Sequence, residues 1–204
     1  MVKMKDNIMK KGFSLAEMTI VLSIITLFLV IALPIIMNKP KDKTKLKRGQ
    51  FECYISGGSI YQQITKSGIA QDPIVQPSGY CTFDYNIAKN TAYVLVLYSG
   101  GGANGGTYGG KAGTLKKIFY TKLSENLYIK PGAAGVGTIV SKQTDFEESD
   151  TAAAGSGVTD VFAGEVSELH KYIKTGGYSS IVENMGDGGA SGSAGQPGGA
   201  LIVW

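Results

Sequence analysis

Histidine and cysteine are almost missing from this chain: its 204 residues include one histidine, His170, and two cysteines, Cys53 and Cys81. Two cysteines without clustered histidines exclude a structural zinc site, and neither a metal nor another cofactor is expected. Nucleophilic catalysis needs a base beside its nucleophile. No base stands beside a serine such as Ser191, and His170 falls on a stretch of helical spacing, where a structural role is the simpler reading. No enzyme is expected. A nucleic-acid groove is excluded as well, because the net charge of +4 resides in the first 48 residues and the chain from Gly49 onward is slightly acidic. A conventional signal peptide would need a small-x-small cleavage site after its apolar core. Here the apolar run leaves through Ile35-Ile36-Met37-Asn38-Lys39-Pro40.

What is present is a junction. Lys10-Lys11-Gly12-Phe13-Ser14-Leu15-Ala16-Glu17 opens an apolar run that lasts to Met37, with Pro34 near its end. As a helix the run would be roughly 37 Å long at about 1.5 Å per residue, enough to span a bilayer. A carboxylate such as Glu17 inside it would cost roughly 2.5–3.5 kcal/mol unless partnered.

Gly12-Phe13, Glu17 and Pro34, behind a basic leader, resemble the class III signal of type IV prepilins and pseudopilins. The resemblance implies a leader over 1–12, a transmembrane and assembly helix over 13–38, a basic linker over 39–50 and a head over 51–204. It implies an N-terminus held cytoplasmic by Lys10 and Lys11, cleavage by prepilin peptidase between Gly12 and Phe13, and methylation of the new amine. In the assembled state Glu17 of one subunit would neutralise the Phe13 amine of another, and the head-to-tail contact would propagate into a filament. The implied partners are the peptidase, other pilin or pseudopilin subunits and the membrane. The implied location is the inner membrane, with the head periplasmic or extracellular, and then a filament. Lys39, Lys41, Lys43, Lys45, Lys47 and Arg48 lie beyond the run. Counting positive charges alone would reverse the orientation; the cluster suits contact with anionic lipid headgroups. The alternative is a non-polymerising bitopic protein that displays an adhesive domain.

The expected fold class is α+β: an N-terminal hydrophobic helix, then a mainly β head with one short helix. Phe51, Cys53 and Ile55 alternate with polar neighbours, Tyr80 to Tyr85 looks similar, and residues 92–98 read as a buried strand. Cys53 and Cys81 lie in two of these segments; one disulfide is the leading expectation for an exported domain, two buried thiols the alternative. Further β-like stretches are 115–123, 127–129 and 200–204. Between them the composition shifts, with 23 of the 29 glycines in residues 100–204, and these segments cannot pack a side-chain core themselves. From about residue 92 the chain resembles the glycine-rich β-domains of phage tail fibres and some bacterial surface proteins. Val158, Val161, Phe162, Val166, Leu169 and Ile173 follow helical spacing, with Thr159 placed to cap the start and Gly176-Gly177 the end.

Two phosphate-site patterns are rejected. Gly100-x-Gly102-x-x-Gly105 follows a strand, and Gly105-x-x-x-x-Gly110-Lys111 approaches a P-loop. Both require a helix next, whereas Ala112 replaces the Mg²⁺-binding hydroxyl and residues 115–120 read as strand. The acidic run Asp145-Phe146-Glu147-Glu148-Ser149-Asp150 lacks the oxygen spacing and turn glycine of a calcium loop.

Overall fold

The computed structural model describes residues 15–16, 18–23, 49–178 and 180–204. The chain divides into an N-terminal unit, Met1–Thr44, and a head, Lys45–Trp204. In the first unit, residues 15, 16 and 18–23 are helical. Thr19 Oγ1 donates to the Ala16 carbonyl (2.8 Å) and Ser23 Oγ to the Thr19 carbonyl (2.8 Å), bonds that Ser and Thr commonly make inside helices. Among the described residues no helix is long and apolar enough to cross a membrane. This corrects the expected transmembrane helix and the α+β class built on it: a span takes about 20 consecutive apolar residues, and the described helical stretch is far shorter. The remainder of 13–38 lies outside the described residues. What is described is mainly β.

In the head, β1 (Gly49–Ser56) turns through Gly57-Gly58 into β2 (Ser59–Lys66). Both turn glycines take positive φ, 56° and 81°, which glycine adopts without a Cβ penalty. The short strands β3 (Ile69–Ala70) and β4 (Ile74–Val75) both pair with β2. Later in the chain come β5 (Cys81–Phe83), β6 (Val94–Ser99), β7 (Leu115–Tyr120), β8 (Leu127–Lys130), β9 (Thr138–Ser141) and β10 (Ser149–Ala152). Helix α1 (Glu168–Gly176) and β11 (Gly199–Val203) complete it. The larger sheet has the order β3-β2-β1-β11-β6-β7, with β4 also on β2; the smaller runs β10-β9-β8-β5.

Alternation along the strands builds two cores. Phe51 and Cys53 of β1, Val96 and Tyr98 of β6 and Ile202 of β11 face the smaller sheet, meeting Phe83, Leu127 and Ile129. Tyr54, Leu97 and Leu201 face the other way, onto Leu169 and Ile173 of α1 and onto Met185. Strands β6 and β11 are therefore covered on both faces, which is why they read as continuous apolar runs. Cys53 and Cys81 form a disulfide with Cα atoms 6.0 Å apart, joining β1 of the larger sheet to β5 of the smaller. Tyr98 Oη also crosses between the sheets, donating to Asp150 Oδ2 (2.7 Å), while Lys116 pairs with the other oxygen of that carboxylate. Burial, then the bond to Asp150, pushes the Tyr98 hydroxyl well above its usual range. Lys116 chiefly, and Tyr98 next, hold Asp150 low.

The expected helix is corrected at its start. Its N-cap is Ser167, whose hydroxyl accepts from the His170 N–H, and its C-cap Gly177 is left-handed (φ 67°). Thr159 caps no helix: its hydroxyl donates to the Val161 carbonyl (2.9 Å) within a loop. Val158 instead bridges to Gly110 as a β-pair.

Candidate functional site

The glycine-rich connections form a core made of backbone. A Cβ on Gly102 would collide with the Asp187 carbonyl, one on Gly110 with that of Ala103, and one on Gly188 with that of Gly110. Only a hydrogen fits such approaches, as at the axis of collagen. The amides that face inward are paired across segments: Gly101 donates to Val136 (2.8 Å), Gly102 to Gln196 (2.9 Å), Gly110 to Gly189 (2.6 Å) and Gly155 to Gly101 (2.9 Å). This satisfies buried N–H groups that no regular sheet serves. Segments that cannot build a side-chain core thus build a lattice of main-chain hydrogen bonds.

The lattice accounts for several residues singled out in the sequence. The N–H groups of Gly102, Gly105, Gly110 and Lys111, which a phosphate would need, already donate to carbonyls; neither glycine pattern makes an anion cradle. His170 Nδ1 donates to Asp187 Oδ2 (2.7 Å), whose partner oxygen accepts from the Ser167 N–H (2.7 Å). That chain of bonds pins α1 to the 185–189 segment, so His170 orients structure. Ser191 Oγ is bonded to the Thr107 carbonyl (2.9 Å). In the acidic run, Asp145 accepts from the Glu147 N–H (3.2 Å) and Asp150 holds Lys116 and Tyr98. Among the described residues no three His, Cys, Asp or Glu side chains converge as a metal site.

At its outer end the lattice presents three stitched loops. Gly105 donates to Ser193 (2.8 Å), Gly192 to Gly106 (3.0 Å), Ser191 to Phe162 (2.8 Å) and Gly109 to Val161 (2.8 Å). The rings of Tyr108 and Phe162 rest on each other at 5.5 Å, yet Phe162 is 69% exposed and Tyr108 40%, with Val158 and Val161 exposed beside them. Aromatic and aliphatic groups held out to water together on hydrogen-bonded loops make this end the candidate binding surface. No protein-family model, curated protein or solved structure matches this chain. The site therefore rests on its own geometry.

The position of the loops gives the head a polarity. Strand β6 enters the lattice after Ser99 and β7 leaves it at Leu115. At the opposite end of the larger sheet Val94 pairs with Tyr120 and Gly49 with Lys66. The chain thus enters the head at one end, and the aromatic loops stand at the other.

Of the residues singled out at the N-terminus, Lys10, Lys11, Gly12, Phe13, Glu17 and Pro34 lie outside the described residues. Cys53 and Cys81 are brought together. Tyr108 and Phe162 were not legible as a pair: 54 positions separate them, and only lattice hydrogen bonds bring them into contact. Their signal in sequence was an aromatic in a stretch otherwise built of small residues.

Proposed function

We propose that the chain is a non-enzymatic structural subunit of a type IV pilin-like filament. In this reading the prepilin peptidase cuts between Gly12 and Phe13, and Glu17 meets the Phe13 amine of a neighbouring subunit. The single observation that carries it is the spacing Lys10-Lys11-Gly12-Phe13 with Glu17. A scissile glycine lets the peptidase approach the backbone. A new amine and a lone carboxylate, each costly by itself in an apolar setting, then satisfy one another and fix register. One feature of the head supports the reading: its disulfide suits an oxidising compartment outside the cytoplasm.

The deciding experiment is the intact mass of the full chain produced with an active prepilin peptidase. The expected product is the chain beginning at Phe13, 192 residues long after the loss of twelve; a leader that stays attached would sink the proposal. Glu17→Val is expected to be cleaved normally and to enter filaments poorly. Normal incorporation of that variant would remove the charge-pairing account. The exposed Tyr108–Phe162 surface favours a second reading, an adhesive display protein that does not polymerise. A leader retained in a chain that still adheres through Phe162 would favour it.

A further inference from the structure

Where β6 begins and β7 ends, a cavity of about 150 Å³ opens, lined among others by Tyr85, Thr91, Tyr93, Thr121, Lys122 and Ser124. Ala88, Val94 and Leu123, all buried, give it an apolar part. Size selects the ligand first. Sites for drug-sized molecules begin at roughly 300 Å³, so this one admits a single small ring. Its walls are set before a ligand arrives. Asp84 caps the short 3-10 turn Tyr85–Ala88 by accepting from the Asn86 N–H, and Thr91 Oγ1 donates to the Ala88 carbonyl (2.7 Å). The Tyr85 N–H donates to Asn126 Oδ1 (3.1 Å), which joins the loop ahead of β6 to the loop that follows β7.

The lining divides by chemistry. Tyr93 offers an aromatic ring that stacking on Phe119 holds in place, with centroids 5.5 Å apart. The negative face of such a ring attracts weakly positive C–H groups. The side-chain hydroxyls of Tyr85, Tyr93, Thr121 and Ser124, and the ammonium groups of Lys89 and Lys122, have no hydrogen-bond or ion-pair partner among the described residues. A fatty chain in the cavity would cover these groups without pairing them. A sugar ring matches both halves of the lining, because it has a C–H face and a rim of hydroxyls. Charge favours a neutral sugar. Asp84 directly precedes Tyr85 and Glu125 directly follows Ser124, so two carboxylates offset the two lysines and an anion gains no net attraction. The lysines then act as hydrogen-bond donors.

We propose that this cavity binds one neutral hexopyranose ring, with its C–H face on Tyr93 and its hydroxyls meeting Thr121, Ser124 and the two lysines. The site depends neither on cleavage at Gly12 nor on the Tyr108–Phe162 loops.

The test is saturation-transfer NMR on the full chain in phosphocholine micelles, which carry no sugar, with the methyl glycosides of glucose, galactose and mannose as probes. Saturation of the protein's aromatic protons should reach the ring C–H protons of at least one probe, with a Kd on the order of 1 mM. Tyr93→Leu should weaken binding at least about fivefold, and Tyr93→Phe should retain it. Thr121 and Ser124 are exposed, so the paired substitutions Thr121→Val and Ser124→Ala spare the fold even where Tyr93→Leu does not. They too should weaken binding at least about fivefold. Phe162→Ser should bind as the parent does. Preference for the methyl glycoside over the free hexose identifies the end of a glycan as the source, and the reverse identifies a free sugar; either supports the site. No transfer to any of the three probes overturns the proposal. So does transfer that survives the Tyr93→Leu and paired variants undiminished or is lost in Phe162→Ser, which places the sugar elsewhere. Displacement by inorganic phosphate, or tighter binding of glucuronate, makes the cavity an anion site and overturns it as well.

Discussion

Glu52 sits on β1 among the apolar residues beneath α1, 2% exposed, and its Oε1 atom has no hydrogen-bond partner among the described residues. Burial raises its pKa, and the Ser180 hydroxyl and Ile181 N–H oppose the shift only in part. A carboxyl whose folded pKa is raised keeps its proton to higher pH when folded than when unfolded. Stability is therefore greatest below the ordinary value of 4.5, falls as pH rises through the folded pKa, and stays lower above it. Glu52→Gln keeps the shape and removes the charge, so it should stabilise the head at neutral pH by roughly 1–3 kcal/mol and flatten this acid-side slope. Urea midpoints of both proteins across the window check the claim; parallel pH profiles would refute it. Asp150 has the opposite sign. Its folded pKa is lowered, so what it contributes with Lys116 and Tyr98 is present above its usual 3.8 and is lost only as pH falls below that value through the folded pKa.

At the scale of elements the glycine lattice is the unusual part. It buries few side chains beyond Ala103 and orders the residue type with most entropy to lose, so its cohesion comes from paired amides and close backbone contact. That makes tolerance to substitution position-specific. Gly188→Ala drives a methyl group into the Gly110 carbonyl and should cost about 3 kcal/mol or more. Gly106→Ala meets only a Val158 methyl at 3.7 Å and should change stability by less than about 0.5 kcal/mol. Denaturant melts of the two variants test the lattice directly, since equal effects would mean that backbone approach is not what holds it. Helix α1 shows why periodicity misled at this scale. Val158, Val161 and Phe162 keep helical spacing but are exposed on lattice loops, and the helix waits for Ser167, whose hydroxyl serves both the His170 N–H and the Met185 carbonyl.

For the molecule as a whole, the disulfide is the covalent link between two sheets that are also tied by side-chain packing, by the Tyr98–Asp150–Lys116 group and by hydrogen bonds such as Thr138 Oγ1 to the Ser99 carbonyl (2.6 Å). Its partners are 28 positions apart, so replacing both cysteines by serine should lower stability by about 3–4 kcal/mol on the chain-entropy account. Equilibrium unfolding of the paired variant measures this, and a loss near zero would mean that packing alone holds the sheets in register.

Local pattern was enough for the strands that obey it. Alternation at Phe51, Cys53 and Ile55 and the apolar runs of 94–98 and 200–203 mark their own strands, because a strand's two faces are written every second residue. Strands β2, β9 and β10 mix Gln, Thr, Ser or Asp with few apolar residues, so their sequence does not announce them, although Thr138, Val140, Ser141 and Ala152 are buried once the strands pair. The transmembrane helix expected from hydropathy has no counterpart among the described residues. By itself the sequence determined the glycine content, the charge division at residue 48 and the Gly12–Phe13–Glu17 spacing, all properties of neighbours along the chain. Only the tertiary structure decided that the glycines pair with one another, that Tyr108 meets Phe162 and that Cys53 meets Cys81. Those contacts depend on which strands pair and in what register, and hydrogen bonding between distant segments sets that.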